Sequence, residues 1–120
     1  MSDSELLENA AKVAGIEFTW KHCRFYTGDP DMYGVRELVD ELTPFLSCGL
    51  FWNPLRDDGH ALRLAGMLGI EIEFTKDLRT VYAGVVGSAK WREEVRHDQD
   101  IHASTRRAIV NAAIEAGEDR

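Results

Sequence analysis

Residues 70–74 read Ile-Glu-Ile-Glu-Phe, and residues 81–86 read Val-Tyr-Ala-Gly-Val-Val. The first run alternates apolar and acidic side chains, which is typical of a strand with one buried and one solvated face. The second run is apolar almost throughout, which indicates a more fully buried strand. The polar residues between them suit a turn. We therefore predict an antiparallel hairpin, and this hairpin places a sheet at the centre of the fold.

The start of the chain predicts a helix followed by another strand. Ser2 and Glu5 have the spacing of a capping box, in which each side chain satisfies a free backbone N–H at the start of a helix. Apolar residues then recur at helical spacing over 3–14, and Gly15 suits the left-handed conformation that ends a helix. Residues 16–25 begin with an alternating apolar and polar pattern, which predicts a strand.

Two further helices are predicted from their capping residues. Asp57 or Asp58 can cap a helix that extends to Leu68, because a carboxylate accepts hydrogen bonds from the free N–H groups of a first turn. Asp98 or Asp100 can cap the last helix in the same way. Residues between the central hairpin and this last helix fit either a helix or a loop.

The middle of the chain predicts a short acidic helix. Asp29-Pro30 can open it, since proline is favoured at a first helical position, and Pro44 ends it. Apolar residues recur at the spacing of one helical face, at Val35, Leu38, Val39 and Leu42. Residues 47–52 follow as a predicted short strand.

These elements predict one α/β (α+β) domain over residues 1–120. We expect a single sheet of three to four strands, mixed or antiparallel, packed by helices on one or both faces as an αβα sandwich. The acidic helix within 23–46 can be an insertion. The predicted core consists of Leu6, Ile16, Phe18, Trp20, Leu62, Leu68, Ile70, Ile72, Phe74, Val81, Ala83, Val85, Ile109 and Ala112.

The charge of the chain is acidic and unevenly distributed. The formal net charge is −7, and residues 1–58 hold 11 acidic against five basic residues. A nucleic-acid interface depends on Lys and Arg that neutralise phosphates, so this half is unsuited to one. The first residues lack the basic and apolar pattern of a signal peptide, and no apolar run approaches a membrane span. We expect a cytoplasmic protein in which Cys23 and Cys48 are free, buried thiols.

A second stretch carries a family resemblance. Residues 51–65 read Phe-Trp-Asn-Pro-Leu-Arg-Asp-Asp-Gly-His-Ala-Leu-Arg-Leu-Ala and are followed by Leu68-Gly69-Ile70. This stretch resembles the phage ABA sandwich domain, a family of small phage and prophage proteins. Residues 5–16 and 104–113 are similar to the opening and closing parts of that family. The resemblance implies an α/β sandwich and a phage or prophage origin. It implies no activity, because the family has no established functional residues.

Two groups of side chains could in principle hold a metal ion. They are Asp57, Asp58 and His60, and His97, Asp98, Asp100 and His102. Imidazole and carboxylate suit zinc, manganese or iron, so a metal-dependent enzyme is one alternative. The spacing matches no metal motif, however, and the aspartates stand where helix caps are predicted. We therefore predict no metal site, no catalytic residues and no cofactor.

A nucleic-acid-associated protein is the other alternative. The segment Lys90–Arg107 contains the only concentration of basic residues, and a helix, a three-stranded meander and a helix also occur in double-stranded RNA binding domains. Acidic residues in the same segment reduce its net charge, so nucleic-acid binding is not the interpretation we favour.

Binding to a host or phage protein is the function that the sequence favours. Acidic residues lie off the apolar stripe of the middle helix, where they can attract a basic partner. Aromatic residues frequently anchor such interfaces. The predicted contact residues are Asp31, Tyr33, Glu37, Asp40 and Glu41.

Overall fold

The computed structural model describes residues 2–26, 38–75, 80–87, 92–95 and 101–118. The order of elements confirms the predicted α+β class. The elements are α1 (Asp3–Ala14), β1 (Thr19–Tyr26), β2 (Leu38–Phe45), α2 (Asp58–Leu68), β3 (Ile70–Phe74), β4 (Thr80–Val85), β5 (Arg92–Val95) and α3 (Ile101–Glu118).

Local capping signals place the ends of the first two helices. The Ser2 hydroxyl accepts a hydrogen bond from the Glu5 N–H, and Gly15 ends α1 with φ 72°. Helix α2 begins after Asp57 and ends at Gly69, whose φ is 67°. Positive φ is costly for residues with a Cβ, so glycine is favoured at both ends. The predicted bounds of α1 and α2 are confirmed.

The chain divides into two compact units. The first contains residues 1–17 and 53–120, and the second contains residues 18–52. The predicted insertion, residues 23–46, lies within the second unit.

A three-stranded antiparallel sheet of order β3-β4-β5 forms the first unit together with the three helices. The predicted hairpin is confirmed, since Ile70 pairs with Val85 and Phe74 with Val81. Helix α3 packs against all three strands and also contacts α1 and α2. Val81 and Ala83 are fully buried in this unit, as is Ala108 of α3.

Two predicted core residues of this unit are wrong. Leu62 is 67% exposed, because α2 directs Ala61, Leu64 and Ala65 inward instead. Phe74 is 46% exposed and is the last residue of β3. Ile72 is half-buried. Both errors concern the edge of an apolar stripe, where the sequence pattern does not fix which side chain lies inside.

The second unit is built on an antiparallel ribbon of β1 and β2. These strands pair from Thr19 with Phe45 to Tyr26 with Leu38. The prediction of one sheet is therefore wrong: β1 pairs with β2 in a separate sheet. The predicted acidic helix is also wrong over residues 38–42, which belong to β2. The earlier part of the predicted helix, from Asp29 onward, lies outside the described residues, which omit 27–37.

Pro44 is compatible with β2 because its backbone groups point away from β1. The Trp52 N–H donates to the Pro44 carbonyl at 2.9 Å, on the side of β2 away from β1. The nitrogen of Pro44 points to the same side, so its missing N–H removes no bond to β1.

The predicted strand over 47–52 is wrong. Residues 47–49 form a turn, in which Gly49 has φ 89°. Phe51 then forms an isolated antiparallel bridge with Phe45, and the Trp52 N–H bonds the Pro44 carbonyl, so the segment contacts β2 without forming a strand.

Aromatic rings pack at one end of the ribbon. Trp52 is 6% exposed, and its ring stacks on Phe18 with centroids 5.9 Å apart. Phe18 also meets Trp20 edge to face at 5.1 Å. The predicted packing role of Trp52 is confirmed. The two cysteines differ from expectation: both are free, but Cys23 is half-buried and Cys48 is exposed.

Candidate functional site

The segment from Asn53 to His60 is held by a network of short-range hydrogen bonds. The Asn53 side-chain oxygen accepts from the Leu55 N–H at 3.1 Å, which forms a local Asx turn. The Asn53 carbonyl accepts from the N–H groups of Arg56 at 3.1 Å and Asp57 at 2.9 Å. Pro54, inside this turn, is fully buried. The turn therefore brings the chain directly into α2.

Asp57 caps α2 from an extended backbone conformation. Its Oδ1 accepts from the His60 N–H at 2.9 Å, and its carbonyl accepts from the Ala61 N–H at 3.0 Å. The side-chain bond satisfies an N–H group that a helix start leaves free, and the carbonyl bond is the first backbone bond within the helix. The sequence prediction that an aspartate caps this helix is confirmed, and the cap is Asp57.

His60 closes the network through its ring. Its Nδ1 accepts from the Asn53 N–H at 2.9 Å, so the neutral imidazole carries its proton on Nε2. The Nε2 atom lies 4.0 Å from Oδ1 of Asp57, too far for a hydrogen bond. The imidazole therefore serves as an acceptor that ties the Asn53 backbone to the first turn of α2.

Arg106 of α3 binds the same segment from a distant part of the chain. Its Nε donates to the Leu55 carbonyl at 2.8 Å, and its Nη1 donates to Asp58 at 2.7 Å. The neighbouring Arg107 donates to Asp3 at 3.0 Å. Both arginines are thus engaged by groups of their own chain. Arg92 lies in β5, and Lys90 and Arg96 lie outside the described residues.

Three residues of the metal alternative, Asp57, Asp58 and His60, have structural partners. Asp57 and His60 hold the start of α2, and Asp58 pairs with Arg106. His102 is exposed on α3, while His97, Asp98 and Asp100 lie outside the described residues. Within the described part of the chain, no three His, Cys, Asp or Glu side chains are grouped to hold a metal ion.

The predicted contact residues fall in and before β2. Asp31, Tyr33 and Glu37 lie outside the described residues. Asp40 and Glu41 belong to β2, where they pair with Arg24 and Cys23. The prediction that these two residues lie on an acidic helix face is therefore wrong, because both lie in a strand.

The ribbon presents two exposed leucines that the sequence analysis placed on the apolar stripe of a helix. Leu38 is 42% exposed and Leu42 is 61% exposed. They lie four residues apart on one strand, so they share a face of the ribbon, and we call them the hairpin leucines. Leu42 pairs with the exposed His22. A period-2 interpretation of residues 38–42 would have placed both leucines on one strand face.

Comparison with protein-family models, curated proteins and solved structures finds no match. No helix in the described part of the chain is long and apolar enough to cross a membrane.

Proposed function

We propose that this chain is a non-enzymatic phage or prophage accessory protein that binds a host or phage protein. The exposure of the hairpin leucines is the observation that carries the proposal. The phage setting rests on the sequence resemblance of residues 51–65. The candidate chemical groups in that same stretch support a binding role over catalysis, since Asp57, Asp58 and His60 hold the chain in place.

A two-stranded ribbon gives the leucines little opportunity for burial. Two strands alone are marginally stable in water and gain stability when a face is covered. The aromatic rings occupy the end of the ribbon near Phe18 and Trp52, whereas Leu38 and Leu42 lie further along β2 and stay exposed. Exposed apolar groups that recur on one face are typical of an interaction surface. A partner that covers this face would remove both leucines from water.

Site-specific crosslinking tests the proposal. A photoreactive residue at position 22, which pairs with Leu42, is expected to crosslink to one host or phage protein. Adding Leu38→Ser and Leu42→Ser to this chain is expected to abolish capture. Leu62 and Met67 on α2 provide the matched control, because they are also apolar and more than half exposed. Leu62→Ser with Met67→Ser should retain the same partner. Equal capture by the unsubstituted chain, the hairpin-leucine variant and the α2 control would contradict docking through the ribbon.

A further inference from the structure

Strand β3 has one edge that faces no other strand within the described residues. The Val86 N–H donates to the Gly69 carbonyl at 2.8 Å, and the Thr75 N–H donates to the Thr80 carbonyl at 3.1 Å. Hydrogen-bonded pairs alternate along an antiparallel ladder, so Glu71 and Glu73 direct their backbone groups to β4. The backbone groups of Ile70, Ile72 and Phe74 therefore point to the outer edge.

The side chains along this edge alternate in chemistry. Glu71 and Glu73 are exposed on the sheet face opposite the fully buried Val81 and Ala83. Ile72 lies on the other face together with Phe74, whose ring is 46% exposed. An added strand would thus meet two carboxylates on one face and apolar groups on the other, in addition to backbone groups that pair with no other described strand.

The two glutamates decide which strand fits. If a second copy of β3 paired antiparallel about Ile72, Glu71 of one copy would lie opposite Glu73 of the other. Like charges directly opposite in a sheet are destabilising. A strand with Lys or Arg at those positions would instead form opposite-charge pairs, and the net charge of −7 attracts such a segment.

We propose that the β3 edge binds an extended segment of a partner protein in which basic and apolar residues alternate. The backbone groups of Ile72 and Phe74, which are less buried than Ile70, supply the affinity by strand addition, and Glu71 and Glu73 supply the selection for basic residues. This surface belongs to the first unit and is independent of the hairpin leucines, so either proposal can fail without the other.

A short peptide of alternating lysine and valine is the probe. Its binding is expected to slow hydrogen exchange of the Ile72 and Phe74 amides, and a glutamate and valine peptide is expected to leave them unchanged. Glu71→Lys with Glu73→Lys should weaken binding of the basic peptide by about tenfold or more, the equivalent of ~1.4 kcal/mol. If the charge-reversed variant fails to fold, the neutral variant Glu71→Gln with Glu73→Gln takes its place. It should lose less affinity for the basic peptide.

A matched control separates local pairing from net charge. Glu17→Lys with Glu118→Lys changes the total charge equally at two other exposed carboxylates and should retain binding. Equal loss in this control would overturn the proposal, because attraction would then depend on net charge alone. Unchanged exchange at Ile72 and Phe74, or dimerisation of the wild-type chain through β3, would also overturn it.

Discussion

The backbone N–H of Asn53 donates to Nδ1 of His60 at 2.9 Å, across seven residues. The bond gives a part-buried N–H its partner and fixes the imidazole over the start of α2. Asp57 bonds the backbone N–H of the same histidine, so the side chain and main chain of His60 are held by the same short segment. This relationship gives His60 a structural role at the start of α2.

We expect His60→Ala to lower the free energy of unfolding by about 1–3 kcal/mol, because the Asn53 N–H would lose its acceptor. His60→Asn should lose less, since its side-chain oxygen can occupy the position of Nδ1. Urea denaturation measures both. Leu62→Ala is the control on the same helix, and its exposed side chain predicts a change within about 0.5 kcal/mol. A loss in His60→Ala no larger than in this control would contradict the role assigned to the bond.

Trp52 provides a test of the aromatic packing in the second unit. Its ring is buried and stacks on Phe18, so Trp52→Ala should cost about 3–5 kcal/mol. The adjacent Phe51 is 44% exposed, and Phe51→Ala should cost much less. Thermal melting followed by circular dichroism compares the two. Similar melting temperatures for both variants would show that Trp52 does not hold the fold.

Arg106 is expected to stabilise the protein more through its hydrogen bond to the Leu55 carbonyl than through its ion pair with Asp58. Arg106→Met leaves the part-buried Leu55 carbonyl without its donor, at a cost of about 1–3 kcal/mol. Asp58→Ala removes the charged partner, which is 66% exposed, and such pairs contribute about 0–1 kcal/mol. Urea denaturation of both variants measures the order, and a greater loss in Asp58→Ala would contradict it.

The sequence predicted the elements whose signals are local. Ser2, Asp57 and the glycines at positions 15 and 69 mark helix ends through bonds within a few residues, and the alternation of 70–74 marks β3. The alternation did not fix the burial of Phe74, since the end of a strand can leave a stripe residue in solvent.

The missed features depend on distant partners. Leu38, Val39 and Leu42 fit a helical stripe, and only pairing with β1 makes this segment a strand. Pro44 reinforced the error, because it ends a helix but is also allowed on the outer edge of a strand. The bond from Arg106 to Leu55 spans 51 residues and leaves no local pattern.

Two glycines within helices are expected to respond oppositely to the same substitution. Gly66 is exposed in α2, and a methyl group there meets no atom within 4 Å. Gly66→Ala should therefore stabilise the protein by about 1 kcal/mol through the higher helix propensity of alanine. At Gly117 of α3, a methyl group would overlap Cγ2 of Val13 on α1. Overpacking typically costs about 1–3 kcal/mol, so Gly117→Ala should be destabilising despite its better propensity.

A double-mutant cycle identifies the cause at Gly117. Val13→Ala removes the methyl group that the new Cβ would strike, so Gly117→Ala should become neutral or stabilising in that background. Urea denaturation of the wild type, both single variants and the double variant gives the coupling free energy. If Gly117→Ala stabilises the wild-type chain as Gly66→Ala is expected to do, then α1 and α3 do not approach as closely at Val13 as described. If Gly117→Ala destabilises the wild-type chain and the Val13→Ala variant equally, the loss arises from another contact.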